Sequence, residues 1–212
     1  MKRLRSFGSV VLLVVFAVHA AFAQASPLQQ TKSLDRLGSI KPENLGSYYV
    51  GHYLMFARFL TAAGFKQHAI KYFKSLSIAL VGQDEARIQS CLRMIESGEG
   101  TAEQIDDLLK QVESSLDAKL SGDPGWFYNL GKTYAQFFMT LEYLKLTNDA
   151  RPLRLVLVNL GQLATRAPAD APVQVVLSLA QFGAIGAKEQ MNLEDIAIIK
   201  KSVETIDTNM AA

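Results

Sequence analysis

Apolar side chains recur every three to four residues along most of this chain, which is the spacing of an amphipathic helix. No stretch alternates apolar and polar residues for long enough to indicate a β-strand. Helix start and stop signals divide the pattern beyond residue 40 into eight segments. We therefore predict an all-α fold with helices at about 43–63, 66–81, 84–96, 101–120, 123–146, 149–166, 170–186 and from 192 onward.

Capping signals are specific at several of these boundaries. Thr101 followed by Gln104 forms a capping box, in which each side chain bonds a backbone N–H of the other residue. Asp170 is predicted to cap the seventh helix and Asn192 the eighth. Because the connecting loops are short, consecutive helices are expected to be antiparallel, giving four hairpins in a bundle or a stacked solenoid.

The first hairpin carries a more specific pattern. The motifs are Y-x-x-F-A-x-x-L from residue 53, A-x-x-x-F-x-x-L from residue 69 and F-x-x-L-G-x-x-Y from residue 127. Over about residues 50–83 and 124–134, these motifs resemble the tetratricopeptide repeat (TPR), a helical hairpin with small residues where its helices meet. The resemblance implies a divergent, TPR-like right-handed solenoid. A compact helical bundle is the alternative.

The resemblance also implies a binding groove. In the tetratricopeptide family, the first helix of each hairpin lines a concave groove that holds a peptide. Matching positions place Leu54, Arg58 and Thr61 of helix one at this groove, together with Tyr128 and Lys132 of helix five. Arg58 and Lys132 would then bind a carboxylate of the peptide. The alternative is that both are ordinary solvated charges.

Aromatic side chains concentrate in helices one, two and five. A packed core is the first interpretation, because aromatic residues dominate core burial. There are too many for one helix face, so a cavity for a small apolar or aromatic ligand between these helices is a second interpretation. Gly51 and Gly131 would shape that cavity. Its predicted lining is Tyr49, His52, Tyr53, Tyr134 and Phe137.

The first 23 residues have the composition of a secretory signal peptide. Three basic residues at positions 2, 3 and 5 precede a stretch from Phe7 to Ala23 without any charge, and it ends in the small-x-small pattern of Ala21 and Ala23. We predict cleavage near Ala23, a flexible leader over 24–40 and a single all-helical domain over 41–212. An uncleaved N-terminal membrane anchor is the alternative.

Removing this segment changes the charge balance. The chain has 22 basic and 20 acidic side chains, and the first 23 residues hold three basic and no acidic ones. The remainder therefore has one more acidic than basic side chain and no basic block, which excludes the usual electrostatic signature of nucleic-acid binding. The single cysteine, Cys91, is predicted to be a small buried hydrophobe, with an intermolecular disulfide as the alternative.

No catalytic or metal-binding motif emerges from the sequence. His52 and His68 lie on different predicted helices, and neither has a second ligand at metal-site spacing. Gly131-Lys132-Thr133 matches the end of a P-loop but lacks its first glycine and its preceding strand. We expect no enzyme activity, metal or cofactor.

The functional prediction is an exported, periplasmic or secreted, non-enzymatic adaptor or assembly factor that binds a protein or peptide partner in a helical groove. Its alternative is a helical carrier of a small apolar or aromatic ligand. Membrane contact is expected only if the N-terminal segment is retained.

Overall fold

The computed structural model describes residues 40–210, which form eight helices and no strand. The all-α prediction is therefore confirmed for this range. The predicted signal peptide and the predicted leader up to residue 39 lie outside the described residues. The helices are α1 Pro42–Ala62, α2 Lys66–Ala79, α3 Gln83–Ser97, α4 Ala102–Lys119, α5 Gly122–Thr147, α6 Arg151–Ala164, α7 Val173–Gly186 and α8 Leu193–Met210.

Two of the three predicted caps, Thr101 and Asn192, mark a helix start correctly. Thr101 Oγ1 accepts from the Gln104 backbone N–H at 3.1 Å, and Gln104 Oε1 accepts from the Thr101 N–H at 3.0 Å. Asn192 caps α8 in the same way, by exchange with Asp195. The prediction for Asp170 is wrong, because Pro172 is the N-cap of α7. The Asp170 carboxylate instead accepts a hydrogen bond from the distant Asn44 side chain at 2.8 Å.

The described residues divide into two compact units. The first unit comprises Lys41–Gln136 and Leu163–Asp170. The second comprises Ile40, Phe137–Gln162 and residues 171–210, so α5 and α6 contribute to both. The prediction of a single domain over 41–212 is not tested by this division and stays a prediction.

Four helices of the first unit contact one another in a closed cycle. Helix α1 packs against α2 and α4, and α3 packs against α2 and α4. Ala57 and Ala69 are the small residues of the tetratricopeptide-like motifs in the first hairpin, and both are completely buried. Large apolar side chains fill the space between the helices, among them Leu60, Phe73, Leu76, Ile88, Ile95 and Ile105.

Helix α5 crosses α1 with the two backbones in direct contact. A Cβ atom on Gly51 would lie 2.2 Å from the Tyr128 carbonyl oxygen, and one on Gly131 would lie 2.0 Å from the Tyr48 carbonyl oxygen. Only glycine has no side chain to obstruct so close an approach. The two glycines were expected to shape a cavity, but in the structure they allow the helices to touch.

The second unit contains a similar crossing between α6 and α7. A Cβ atom on Gly161 would lie 2.3 Å from the Cα atom of Gly183. Helix α7 also packs along α8. Phe137 belongs to this unit, and its ring stacks on Phe182 with centroids 5.4 Å apart. One face of α7 is therefore buried in the interior of the second unit.

Candidate functional site

Three of the five residues predicted to line a groove are core residues. Leu54, Thr61 and Tyr128 are each about 1% exposed. The Thr61 hydroxyl donates a hydrogen bond to the Ala57 carbonyl of the same helix. The structure therefore corrects the expectation for these three side chains, because neighbouring helices cover them.

The other two predicted groove residues, Arg58 and Lys132, are neutralised by helix α4. Arg58 lies 2.6 Å from Asp106 Oδ1 and 3.0 Å from Glu113 Oε2. Lys132 Nζ lies 2.6 Å from Glu113 Oε1 and 3.2 Å from Asp117 Oδ1. The carboxylates expected from a bound peptide are thus supplied by this chain itself.

Sequence reasoning missed these acidic partners. Asp106, Glu113 and Asp117 are seven and four residues apart, so they follow one face of α4. The stripe of acidic residues can be recognised in the sequence of α4. The sequence of α4 does not indicate which basic side chains of other helices lie against it. The Lys132 ammonium also lies 5.0 Å from the centre of the Tyr128 ring, a cation–π contact that further reduces its availability.

Four of the five predicted cavity residues come together in the first unit through ring contacts. His52 lies 6.5 Å from Tyr134 and 6.2 Å from Tyr53, and Tyr53 stacks on Tyr49 at 5.7 Å, all between ring centroids. The fifth, Phe137, is in the second unit. Contacts at these distances are those of packed aromatic residues, which favours the core interpretation.

His52 is uncharged in this setting. Complete burial lowers its pKa to about 4, although a hydrogen bond to the Gly131 backbone acts in the opposite direction. At neutral pH, the imidazole therefore contributes a hydrogen bond and an apolar surface rather than a positive charge. Its role in the structure is to hold α1 against α5.

An open pocket of about 430 Å³ lies at one end of the first unit, where α1 and α3 begin and α2 and α4 end. We call it the end pocket. None of the residues predicted from sequence lines it. Its apolar wall consists of Val50, Ala79, Leu80, Val81, Leu116 and Leu120, and its other lining residues are Glu43, Gly46, Ser47, Asp84 and Lys119.

Asp84 is the buried charge of the end pocket, with a side chain only 3% exposed. It accepts from Lys119 Nζ at 2.6 Å, from Ser115 Oγ at 2.8 Å and from Arg87 at 2.9 Å. Burial alone would raise its pKa, but these hydrogen bonds and the Lys119 charge hold the pKa below its usual value. The carboxylate is therefore ionised at neutral pH and fully satisfied by the protein.

Helix α7 presents an exposed apolar strip. It is the only helix among residues 40–210 without a charged side chain. Val173 and Leu177 are 67% and 60% exposed, and the exposed residues Ala180 and Ala184 extend the same face. We call these four residues the α7 strip. At helical rise, it is about 16 Å long.

The single thiol is inert in this structure. Cys91 is buried without a disulfide partner, and burial raises the pKa of its thiol to about 12. A protonated, inaccessible thiol is a poor nucleophile and a poor partner for a second chain. The structure therefore favours the first interpretation, a small buried hydrophobe.

Recognisable signatures of function are few. No cluster of three or more potential metal ligands occurs within residues 40–210. Over the same range, none of the helices has the length and apolar character needed to cross a membrane. No family model matches the chain, and no curated protein or solved structure matches it.

Proposed function

We propose that this chain is an exported, non-enzymatic protein-interaction module, an adaptor or assembly factor that binds a protein segment along the α7 strip. The observation that carries the proposal is the uncharged, exposed apolar face of α7. The neighbouring α8 also exposes Leu193 and Ile196, but its exposed residues include charged ones such as Glu194, Lys200 and Lys201. A continuous apolar face on a folded unit is typical of an interaction surface.

The shape of the strip suits a helical segment. Val173 and Leu177 are four residues apart and form a ridge that fits the groove of a second helix. Ala180 and Ala184 continue the line with small side chains, which allow closer approach. The exposed residues beside the strip include the neutral Gln174. The partner we propose is therefore an amphipathic helix that contributes its apolar face.

This proposal keeps the predicted partner and changes the predicted surface. Helix α7 is one of the four first helices that the tetratricopeptide resemblance assigns to the groove. Arg58 and Lys132, the charged groove residues on α1 and α5, already have partners within the protein. The binding surface is therefore proposed on α7 rather than on α1 and α5.

The contacts between helices α1 to α4 are also relevant to the choice between the two architectures that the sequence allows, a solenoid of stacked hairpins and a compact helical bundle. The closed cycle of α1 to α4 is the arrangement of an up-and-down four-helix bundle. In a solenoid, hairpins instead stack in a line. We propose the bundle for the first unit.

Export is supported by the sequence of the first 23 residues. A basic start, an uncharged apolar stretch and Ala21-Phe22-Ala23 together are typical of a cleaved signal. N-terminal sequencing of the protein isolated from its own host should therefore find Gln24 as the first residue. A chain beginning at Met1 in the membrane fraction would instead support the anchored alternative.

A matched pair of variants tests the binding surface. Leu177→Glu places a charge within the α7 strip, whereas Ile78→Glu places one at a comparably exposed apolar position, 82% exposed, in the first unit. We expect Leu177→Glu to reduce co-purification of a specific partner by about tenfold or more. Ile78→Glu should leave it unchanged. Equal capture by both variants, with equal thermal stability, would exclude α7 as the binding surface.

A further inference from the structure

We propose that the end pocket binds a small amphipathic amine, with its apolar body against the leucine and valine side chains and its ammonium group at Glu43. This inference concerns the first unit and does not rest on the proposal for α7. The ligand class follows from the dimensions of the pocket, from Gly46 and from the charges at its rim.

The dimensions and lining are those of a small-molecule site. Ligand pockets have volumes of roughly 300–1,000 Å³ and are mostly apolar with a few polar groups. The end pocket has a volume of about 430 Å³, and its lining is likewise mostly apolar with a few polar and charged side chains. Val81 lines it yet is 80% exposed, so an apolar ligand would cover surface that the protein leaves to water.

Gly46 keeps the pocket open. It lies within α1, where glycine is less stable than alanine because it loses more backbone freedom on folding. A Cβ atom at Gly46 would meet nothing within 4 Å. At Gly51, five residues later, a Cβ atom would collide with α5. Packing therefore requires glycine at position 51 but not at 46, where its effect is to leave space beside α1.

The rim selects a cation. Three charged side chains line the pocket, and two of them, Asp84 and Lys119, pair with each other. Arg87 further balances Asp84. The third, Glu43, is exposed and has no ion pair within residues 40–210. Glu43 is therefore the one charged group of the lining that no ion pair within residues 40–210 neutralises, and an ammonium group complements it.

Isothermal titration calorimetry with three probes of equal chain length tests the ligand class. The purified chain would be titrated with octylamine, octanol and octanoate at neutral pH, where the amine is a cation and the acid an anion. We expect octylamine to bind about tenfold more tightly than octanoate, with octanol between them. Failure of all three to bind, or tighter binding of octanoate, would overturn the proposal.

Variants at two positions test the location. Gly46→Leu should fill the pocket and abolish octylamine binding, while Gly46→Ala, which adds a single carbon, should retain it. Both replacements favour the helix, so thermal denaturation should show folded proteins of at least wild-type stability. Glu43→Gln should reduce the affinity for octylamine to that for octanol. Unchanged octylamine binding by Gly46→Leu would contradict the proposed site.

Discussion

Arg58 on α1 and Lys132 on α5 bind the same carboxylate, that of Glu113 on α4. The two cations are thereby held on either side of one acidic side chain that is only 20% exposed. Helix α4 thus joins α1 to α5 through charged side chains. Charge reversal at Arg58 or Lys132 would place an acidic side chain beside the carboxylates of α4. Such a variant would be destabilised, so a loss of binding could not be assigned to the loss of a contact with a partner.

Replacing the shared carboxylate should weaken the first unit. Glu113→Gln leaves Arg58 and Lys132 each with one of their two acidic partners, and we expect a loss of about 1 kcal/mol in the free energy of unfolding. Asp107→Asn is the matched control, because Asp107 is exposed and, within residues 40–210, pairs only with Lys110 of its own helix. It should change stability by less than about 0.5 kcal/mol. Urea denaturation measures both, and equal effects would contradict a bridging role for Glu113.

Alanine replacements at three helix glycines should have opposite effects. Gly51→Ala and Gly131→Ala each place a Cβ atom against the backbone of the facing helix, and each should destabilise the protein by about 2 kcal/mol or more. Gly46→Ala meets no neighbour and should stabilise it by up to about 1 kcal/mol. Thermal denaturation distinguishes the signs. A stable Gly131→Ala variant would show that α1 and α5 do not touch as described.

Stability should fall between pH 6.5 and pH 4 because of His52. Its pKa is about 4 in the folded protein and 6.5 without burial, so the unfolded chain binds the proton first as pH decreases. The stabilisation is complete above pH 6.5 and is lost toward pH 4, by up to about 3 kcal/mol. The buried carboxyl group of Asp84 contributes only at lower pH, because despite its burial the hydrogen bonds from Lys119 and Ser115 hold its pKa below its usual value.

Two histidine variants identify the source of this pH dependence. His52→Gln removes the titrating group and should flatten the stability profile over this range. His68→Gln, at a partly exposed position, should leave the profile as in the wild type. Chemical denaturation at several pH values measures the profiles. A decline that persists in His52→Gln would assign it to other groups.

Local structure was predictable because its signals are local. The Thr101–Gln104 capping box and the Asn192 cap act within one helical turn, and both appear in the structure at the residues that the sequence predicts. Asp170 is not a cap because α7 has Pro172 as its N-cap, and the Asp170 carboxylate instead accepts from Asn44, which is 126 residues away in sequence. A single sequence contains no direct record of such distant pairs.

The candidate sites were less predictable for the same reason. The basic character of Arg58 and Lys132 is visible in the sequence, but their neutralisation depends on α4 folding against both helices. Gly51 and Gly131 are predicted from the sequence to shape a cavity, and only the packed structure shows that they instead let two helix backbones meet. The end pocket involves four helix ends, and the α7 strip becomes evident only when the buried face of α7 is known.

Site-specific photo-crosslinking within the living host tests the central claim most directly. A p-benzoylphenylalanine introduced at Leu177 should give one discrete adduct with a different protein, whereas the same probe at the more exposed Ile78 should not give that adduct. The account predicts this difference because the α7 strip is the proposed contact surface. The same adduct from both positions, none from Leu177, or an adduct with a second copy of this chain would contradict it.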